Sequence, residues 1–432
     1  MKKSGFTLIE LLAVIAILAI ILVISIPKIL DVIETSKINA LKNAVKLIAD
    51  SAEKKYTENE AFGEENEITC DSVSKLNKED YSKCSIVFDE NGIAKVSIVG
   101  KGKFDELAVI NGTRISAEVI QLELPEYGDA KTFIENIYND EVLRIANDLK
   151  KDNTSDQNIR YYGSNPDNYV SFNNELWRII GVFGDNVKLV RSESLGSLSW
   201  DTSESSVNGG YGVNEWSQAD LQVYLNKMYY GGTTVTCYGG SNNTTTCPTN
   251  KLDDASKTLI DNHLWNTGAI DETDTTIVNQ ETFALNTVPF YNAERGNVTG
   301  KICNGGGRCN DTVERATTWT GYIGLPYATD YAYASSESIC ETNMQKQDSS
   351  NAYICKNNNW MFKPNTWYWT LSPSASSGIS RFVWLVHSDG DVRYSNAANG
   401  GAVFPAIYLK SDILIESGTG TSSDPYILKA SA

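Results

Sequence analysis

The residues best suited to chemistry in this chain are its eight cysteines, which form four pairs that are close in sequence. Close pairs in polar loops are typical of disulfides in exported proteins, whereas the same residues in a cytoplasmic protein would be free thiols or zinc ligands. No Cys-x-x-Cys motif occurs. We therefore predict four disulfides and an extracytoplasmic location. The pairs are Cys70 with Cys84, Cys237 with Cys247, Cys303 with Cys309, and Cys340 with Cys355.

Histidine chemistry has little support, because the chain has only two histidines, His263 and His387, far apart in sequence. A histidine-based metal site or catalytic triad is not expected. The formal net charge of −17 over 432 residues argues against nucleic acid as a partner. We predict no cofactor and no enzymatic activity, and the length indicates two or three domains.

One carboxylate, Glu10, stands at the head of an apolar run from Leu11 to Ile26 that is broken only by Ser25. Such a run nearly spans a bilayer, and a charge within it is costly and usually functional. A secretory signal peptide would need a small-residue cleavage site after the run, which is absent. An uncleaved anchor accounts for the apolar run but not for Glu10.

The segment KKSGFTLIELLAVIAILAI resembles the N-terminal signature of type IV prepilins, in which a short basic leader ends in Gly and is followed by Phe and a nearby Glu. The resemblance implies that a prepilin peptidase removes leader residues 1–5 between Gly5 and Phe6 and methylates the new N-terminus. It also implies a single-pass membrane protein that assembles with other pilin subunits. Glu10 would then pair with the terminal amine of a neighbouring Phe6, because two buried opposite charges can satisfy each other.

Apolar residues continue at mainly helical spacing beyond the membrane run, which predicts one long helix over residues 6–60. Pro27 should kink or break it, because proline removes a hydrogen bond and crowds the preceding turn. The second half of the helix is expected to pack on a pilin globular domain over residues 61–117. The apolar positions are Ile29, Ile33, Leu41, Val45, Ile48, Ala52 and Tyr56.

The rest of the chain predicts an α+β protein. A hairpin with strands Ser85–Asp89 and Ile93–Val99 gives the pilin domain a small antiparallel sheet. A helical linker over residues 118–158 leads to a second, loop-rich exported domain over residues 159–432, which holds most of the tryptophans and tyrosines. Further helices are expected at Asp129–Asp152, Trp216–Tyr230 and Asp254–Trp265, and a hairpin turn at Asn173–Asn174.

The segments NYVSFNNELWRIIGVF, WTLSPSAS, VWLVHSDGDV and PAIYLKS resemble the C-type-lectin-like domain of the formylglycine-generating-enzyme type. The same fold carries the variable region of proteins diversified by retroelements, for which Ser374–Ser380 and Tyr394–Gly401 have suitable composition. Phe404-Pro405-Ala406 stands where those proteins usually have Arg-Pro-Val. The resemblance implies a fold more than a function.

A polar and aromatic surface near the C-terminus is the predicted ligand-binding site, since aromatic side chains give contact area at low entropic cost. Its ligand would be an extracellular glycan or protein. Asp389 and Asp391 are weak calcium candidates, because an Asp-Gly pair between apolar strands is more often a type I′ turn. The candidate residues are Trp367, Trp369, Trp384, His387, Arg393, Tyr394, Asn396 and Asn399.

The sequence thus predicts a minor or tip-located type IV pilus subunit at the cell surface that presents a lectin-like domain for adhesion. Three alternatives remain open at this point. They are a pseudopilin of a type II-like secretion system, a retroelement-diversified surface ligand-binding protein, and a membrane-tethered enzyme with the formylglycine-generating-enzyme fold.

Overall fold

The computed structural model describes residues 8–63, 68–73, 76–203, 210–241, 243–271, 274–279, 284–296, 316–344, 352–375 and 381–431. The chain divides into two compact units, Met1–Glu123 and Leu124–Ala432. Each unit combines helices with mainly antiparallel sheet. The predicted α+β class is confirmed.

The N-terminal unit is a long helix packed against a small sheet. Antiparallel strands β1 to β4 lie in that order, and the β1–β2 hairpin confirms the predicted one. The elements are α1 (Leu8–Phe62), α2 (Cys70–Val73), β1 (Tyr81–Phe88), β2 (Ala94–Gly100), a 3₁₀ turn (Gly102–Phe104), β3 (Leu107–Gly112) and β4 (Ile120–Gln121).

Helix α1 runs without a break through Pro27, which confirms the predicted long helix and shows that the proline does not break it. Its packing on the sheet begins at half-buried Ile38 and is complete from Leu41 onward. Ile29 and Ile33, which the periodicity placed on the packed face, are 56% and 46% exposed. The α1 side chains buried in the core of this unit are Leu41, Val45, Ile48, Ala49 and Ala52.

The C-terminal unit opens with two helices and three strands that contribute to its main sheet. The single helix expected over 129–152 is in fact broken at Asp140, whose carboxylate caps the second helix by accepting from the backbone N–H groups of Val142 and Leu143. The elements are α3 (Ala130–Asn139), α4 (Glu141–Ala146), β5 (Leu149–Lys151), β6 (Ile159–Tyr161) and β7 (Tyr169–Phe172).

The remaining elements are short and joined by long loops. They are β8 (Glu175–Phe183), β9 (Asn186–Arg191), β10 (Ser197–Ser199), a 3₁₀ turn (Trp216–Gln218), α5 (Asp220–Val223), a π-helical segment (Tyr224–Tyr230), β11 (Cys237–Tyr238), β12 (Thr244–Thr245), α6 (Asp254–Leu259), β13 (His263–Asn266), α7 (Thr287–Glu294), β14 (Thr318–Gly321), β15 (Ile323–Gly324), α8 (Ala328–Tyr333), α9 (Ser338–Thr342), α10 (Ala352–Lys356), β16 (Tyr368–Pro373), β17 (Phe382–Val386), β18 (Val392–Asn396), β19 (Gly400–Ala402), β20 (Ala406–Tyr408), β21 (Ile413–Ser417) and β22 (Tyr426–Ala430).

Two larger sheets organise this unit within the described residues. The first has nine strands in the order β15-β20-β9-β8-β7-β22-β21, with β6 beside β8 and β5 beside β6. The second has five strands in the order β10-β19-β16-β17-β18. Pairing is antiparallel except between β22 and β7 and between β16 and β19. Strand β16 is therefore central, and β18 ends the five-stranded sheet.

Local turn chemistry predicted one hairpin well and one helix poorly. Asn173 and Asn174 both have φ near 56° and join β7 to β8, as a two-residue type I′ turn requires. The helix expected over Asp254–Trp265 ends at Leu259, and Trp265 lies in β13, where it pairs with Trp319. Strand pairing here overrides the helical pattern.

A buried ion cluster connects sheet and helix in the C-terminal unit. Asp330 accepts from Arg160 at 2.8 Å and from Lys188 at 2.6 Å, and Arg160 also binds Asp152 at 2.6 Å. Burial acts to raise the pKa of Asp330, but the two cations outweigh it and lower that pKa to about 2. Removing one partner of such a cluster leaves an uncompensated buried charge, so we expect it to be costly.

Candidate functional site

The N-terminal part of α1 presents apolar side chains to its surroundings. Residues 8–37 precede the first contact with the sheet and extend about 45 Å at helical rise. Among the described residues, one helix is long and apolar enough to cross a membrane, and it contains this part. The side chains at least 50% exposed are Leu8, Leu11, Leu12, Ile15, Ile17, Leu18, Ile20, Ile21, Leu22, Val23, Ile29, Leu30 and Val32.

The predicted processing residues Gly5 and Phe6 lie outside the described residues, as does the side chain of Glu10. The backbone at Glu10 belongs to α1. The helix therefore places Glu10 near the start of the apolar segment. Lipid or neighbouring apolar helices are the surroundings that this surface requires, since large apolar patches are rare on soluble monomers.

Three predicted disulfides are confirmed. The S–S pairs Cys70–Cys84, Cys237–Cys247 and Cys340–Cys355 close loops of 14, 10 and 15 residues. Cys303 and Cys309 lie outside the described residues, so their pairing stays a prediction.

Two of the predicted ligand-binding tryptophans are buried, which excludes them from direct contact with an external ligand. Trp369 is 0% and Trp384 is 2% exposed. Trp369 lies in central strand β16 and donates from Nε1 to the carbonyl oxygen of Leu198 at 3.0 Å. Trp384 packs its ring edge-on against Phe290 at 5.2 Å. Trp367 precedes β16, is half-buried, and contacts the Trp369 ring at 5.1 Å.

The turn between β17 and β18 is held by its own charged side chains. Asp389 accepts from Nδ1 of His387 at 2.7 Å and from Arg393 at 2.6 Å, while Arg393 also binds Asp391 at 2.6 Å. Arg393 therefore occupies the carboxylates that were weak calcium candidates. No group of three or more His, Cys, Asp or Glu side chains suited to a metal lies in the described part of the chain.

The geometry of this turn differs from the predicted type I′ form. Gly390 is the only one of its residues with positive φ, at 96°, and its N–H donates to the carbonyl of His387 at 2.9 Å. A three-residue loop that ends in a left-handed glycine matches this pattern. The loop brings the carboxylates of Asp389 and Asp391 close together. Burial and the charge of Asp389 raise the pKa of Asp391 in spite of Arg393.

Beyond the turn, a partly exposed cluster is built from β17, β18 and a distant loop. We call Tyr211, Arg381, Phe382, Tyr394 and Asn396 the aromatic–arginine surface. The Arg381 guanidinium lies 4.5 Å from the ring centre of Tyr211 and 5.0 Å from that of Phe382. The rings of Phe382 and Tyr394 are 4.9 Å apart. Tyr211 and Tyr394 are 46% and 38% exposed.

Two polar atoms of this surface are without a hydrogen bond in the described structure. They are Nε of Arg381, a donor, and Oδ1 of Asn396, an acceptor. Asn396 lies opposite Phe382 in the β17–β18 register. Asn399 is held by a 2.8 Å hydrogen bond to Ser395. Both unbonded atoms are buried, so what the surface offers to a ligand is its exposed aromatic rings, which suit recognition at low entropic cost.

Tyr394 and Asn396 were expected from the sequence, whereas the other three members of this surface were not. Tyr211 lies far from β18 in sequence and is placed there by the backbone hydrogen bond from Ala398 N–H to its carbonyl oxygen at 3.0 Å. Arg381 and Phe382 precede Trp384 at the start of β17. Alternation along β17 places Phe382 on the same face as Trp384, so Phe382 could have been predicted from the sequence. Residues 376–380, part of the candidate variable segment, lie outside the described residues.

The comparison with known families matches one segment. Residues 1–26 match the Prokaryotic N-terminal methylation motif. No curated protein and no solved structure shows a significant match to the chain.

The motif supports a type IV pilin- or pseudopilin-like subunit with a prepilin leader. It implies processing by a prepilin peptidase and assembly with other pilin subunits. Together with the exposed apolar part of α1, it fits a single-pass membrane anchor before assembly.

Proposed function

We propose that this chain is a minor or tip-located subunit of a type IV pilus that presents residues 159–432 at the cell surface for adhesion. The observation that carries the proposal is the methylation motif at residues 1–26, continued by an unbroken helix whose first part presents exposed apolar side chains before it reaches the described sheet of its own unit. A helix of this kind needs partners, and copies of the same helix supply them.

A charge pair would set the position of each subunit relative to its neighbour in the fibre. The carboxylate of Glu10 would bind the methylated amine of Phe6 on a neighbouring subunit, because a paired buried charge is tolerated in an apolar bundle and a single one is not. The C-terminal unit is the larger of the two. Its bulk favours a minor or terminal position over a densely packed shaft.

The proposed binding domain is C-type-lectin-like, and its proposed site is the aromatic–arginine surface. What supports this site is the exposure of Tyr211 and Tyr394 and the stacking of the Arg381 guanidinium against the Tyr211 ring. Of the residues expected from the sequence, Tyr394 and Asn396 belong to it, with Asn399 adjacent. His387 and Arg393 belong to the ion network of the turn. We propose a glycan or a protein as ligand.

Binding rather than catalysis is proposed for the C-terminal unit. An oxidising enzyme of the formylglycine-generating type needs reactive cysteines near its substrate. The cysteines of the described residues are all disulfide-bonded, which supports a structural role for them.

Fibre formation in the native cell tests the proposal. Glu10→Val should leave the protein in the membrane but strongly reduce its recovery in sheared fibres. Ser25→Val is the matched control, because it also replaces a polar residue of the apolar run and should assemble normally. Normal fibre yield from Glu10→Val would contradict the charge pair.

The location of the chain in the native cell distinguishes a pilus subunit from a pseudopilin. Antibody labelling should place the chain on surface fibres. Label confined to the cell envelope, together with loss of a secreted protein when the chain is deleted, would favour the pseudopilin instead. Probing glycan and protein arrays with the detergent-solubilised mature protein would identify the ligand.

A further inference from the structure

Helix α1 exposes apolar side chains on the face turned away from its own sheet, and it does so well beyond the membrane run. Leu47 is 67% exposed, although Val45 and Ile48 beside it are buried in the core of the N-terminal unit. A single exposed leucine needs no explanation, but Leu47 ends a regular series of exposed residues. We call this series the α1 seam; its members are Ile29, Ile33, Ser36, Ala40, Asn43 and Leu47.

The spacing of the α1 seam is that of a coiled coil. Its members are alternately four and three residues apart in the sequence, which is the spacing of the a and d positions of a heptad repeat. Ile33, Ala40 and Leu47 take the a positions, and the other three members take the d positions. Two helices with this repeat wind around each other and cover the exposed series on both.

The seam and the contact with the sheet lie on opposite sides of the helix. Ile38, Val45 and Ala52 follow one another at seven-residue intervals, take the f position of the same repeat, and pack on the sheet. Position f is the one farthest from a partner helix in a coiled coil. A second copy can therefore bind along the seam without displacing the sheet of either N-terminal unit.

The middle of the seam has the shape of a helix-binding groove. Ser36, Ala40 and Asn43 are among the described residues that line an open groove of about 610 Å³. The larger Ile33 and Leu47 precede and follow these small side chains along the helix. A groove of this kind accepts the side-chain ridge of a neighbouring helix.

The residues beside the seam limit it to one partner helix. Lys37 and Lys46 take the flanking e and g positions, where a third or fourth helix would bury their charges. Polar flanks confine the contact to the a and d positions, as in two-stranded coiled coils. Asn43 also restricts the alignment, because its amide meets the same amide of a second copy only when the two helices are parallel and in register.

The part of α1 before the seam identifies the partner as another copy of this chain. The methylation motif at residues 1–26 implies assembly with pilin subunits, and α1 continues from the apolar run into the seam without a break. Two copies anchored in the same membrane hold their helices parallel and present their seams at the same height. The paired length from Ile29 to Leu47 is about 27 Å at helical rise.

We propose that two membrane-anchored copies pair in register through the α1 seam, with Asn43 of one copy against Asn43 of the other. The inference rests on the proposed pilus function and adds to it a defined contact between subunits. It concerns a segment of α1 separate from the one that holds Glu10 and Phe6.

Cysteine cross-linking in native membranes tests the pairing. Ser36→Cys and Asn43→Cys are introduced separately into the full chain, and the membranes are oxidised with copper phenanthroline. Each variant should give a disulfide-linked dimer, because equivalent d positions of paired parallel helices lie within disulfide distance. Glu34→Cys is the matched control, since it is also exposed but takes a b position, and it should give about fivefold less dimer or lower.

A further substitution tests the apolar character of the contact. Leu47→Glu, at an exposed residue, should leave the N-terminal unit folded but reduce the Ser36→Cys dimer severalfold, because it places two like charges in the seam. Equal dimer yields from Glu34→Cys and Ser36→Cys, or a Ser36→Cys dimer that Leu47→Glu does not reduce, would overturn the proposal.

The Glu10→Val variant separates this contact from fibre assembly. Combined with Ser36→Cys, it should still form the cross-linked dimer when its fibres are lost, and loss of the dimer together with the fibres would contradict pairing in the membrane. Wild-type fibres without a seam dimer would remove the paired seam alone. A seam dimer in cells where the wild-type chain forms no fibres would remove the filament proposal alone.

Discussion

Trp384 and Tyr394 lie opposite each other on β17 and β18, with their rings edge to face and their centres 5.3 Å apart. The two rings share one face of the sheet but have different surroundings. Trp384 is 2% exposed and packs on Phe290, whereas Tyr394 is 38% exposed and contacts Phe382. One ring is part of the core, and the other is partly exposed to solvent.

Substitution should separate these two roles. Trp384→Ala should lower the free energy of unfolding by about 3–5 kcal/mol, because it leaves a large cavity. Tyr394→Ala should cost about 1 kcal/mol in stability but weaken binding to an array-identified ligand by about 2 kcal/mol or more. Urea unfolding and a binding titration measure the two effects. Full binding by Tyr394→Ala would exclude the aromatic–arginine surface as the site.

Processing at the N-terminus can be tested by mass. Gly5→Leu should block the peptidase, because the family signature places glycine before the cut. The protein recovered from membranes should then be heavier by residues 1–5 and should lack the N-terminal methyl group. Ser4→Ala changes a leader residue other than the basic, Gly, Phe and Glu positions that define the resemblance, and it should be processed. A wild-type protein that begins at Met1 would contradict the prepilin assignment.

The two halves of α1 should respond differently to the loss of an isoleucine. Ile48 is 3% exposed in the core of the N-terminal unit, whereas Ile33 is 46% exposed. Ile48→Ala should destabilise the unit by about 2–5 kcal/mol. Ile33→Ala should change stability by less than about 0.5 kcal/mol and instead reduce fibre yield. Chemical denaturation and shearing assays distinguish the two, and equal destabilisation would contradict the packing boundary near Ile38.

The Asp330 cluster predicts an acid-sensitive contribution to stability. The pKa of Asp330 lies near 2 in the fold and at 3.8 for a free carboxyl. Its contribution to stability is therefore complete above pH 3.8 and is lost as the pH falls toward 2. Asp330→Asn should cost about 3–5 kcal/mol at neutral pH, because Lys188 loses its carboxylate partner.

The comparison that isolates Asp330 is the pH profile of unfolding. The Asp330→Asn protein should lose less stability than wild type between pH 4 and pH 2. Asp412→Asn, at an exposed carboxylate, should keep the wild-type profile. Parallel profiles for all three proteins would contradict the prediction that protonation of Asp330 causes part of the loss of stability at acid pH.

Thiol labelling tests the cysteines, including the pair that the structure does not describe. Labelling of the unfolded, unreduced mature protein should be absent, because all eight cysteines are expected in disulfides. A labelled Cys303 or Cys309 would show that this pair is open and would revive the enzyme alternative. Labelling after reduction confirms that each cysteine is reachable.

Features that depend on nearby residues could be predicted from the sequence. The Asn173–Asn174 turn follows from the tolerance of asparagine for positive φ. The three described disulfides follow from short loops, and the course of α1 follows from its apolar spacing. The prepilin signature needs only the first residues of the chain, and the methylation motif covers them.

Features that depend on strand order could not be predicted. Alternation along β16 suggests one exposed face, yet β16 is the middle strand of its sheet, and both Tyr368 and Trp369 are buried. Likewise, Tyr211 meets Arg381, and Arg160 and Lys188 meet at Asp330, only because segments distant in sequence pack together. Interactions between residues close in sequence thus determined the turns, the disulfides and the long helix. The location of each exposed ring and each buried charge was decided by tertiary packing, because burial depends on all the neighbours at once.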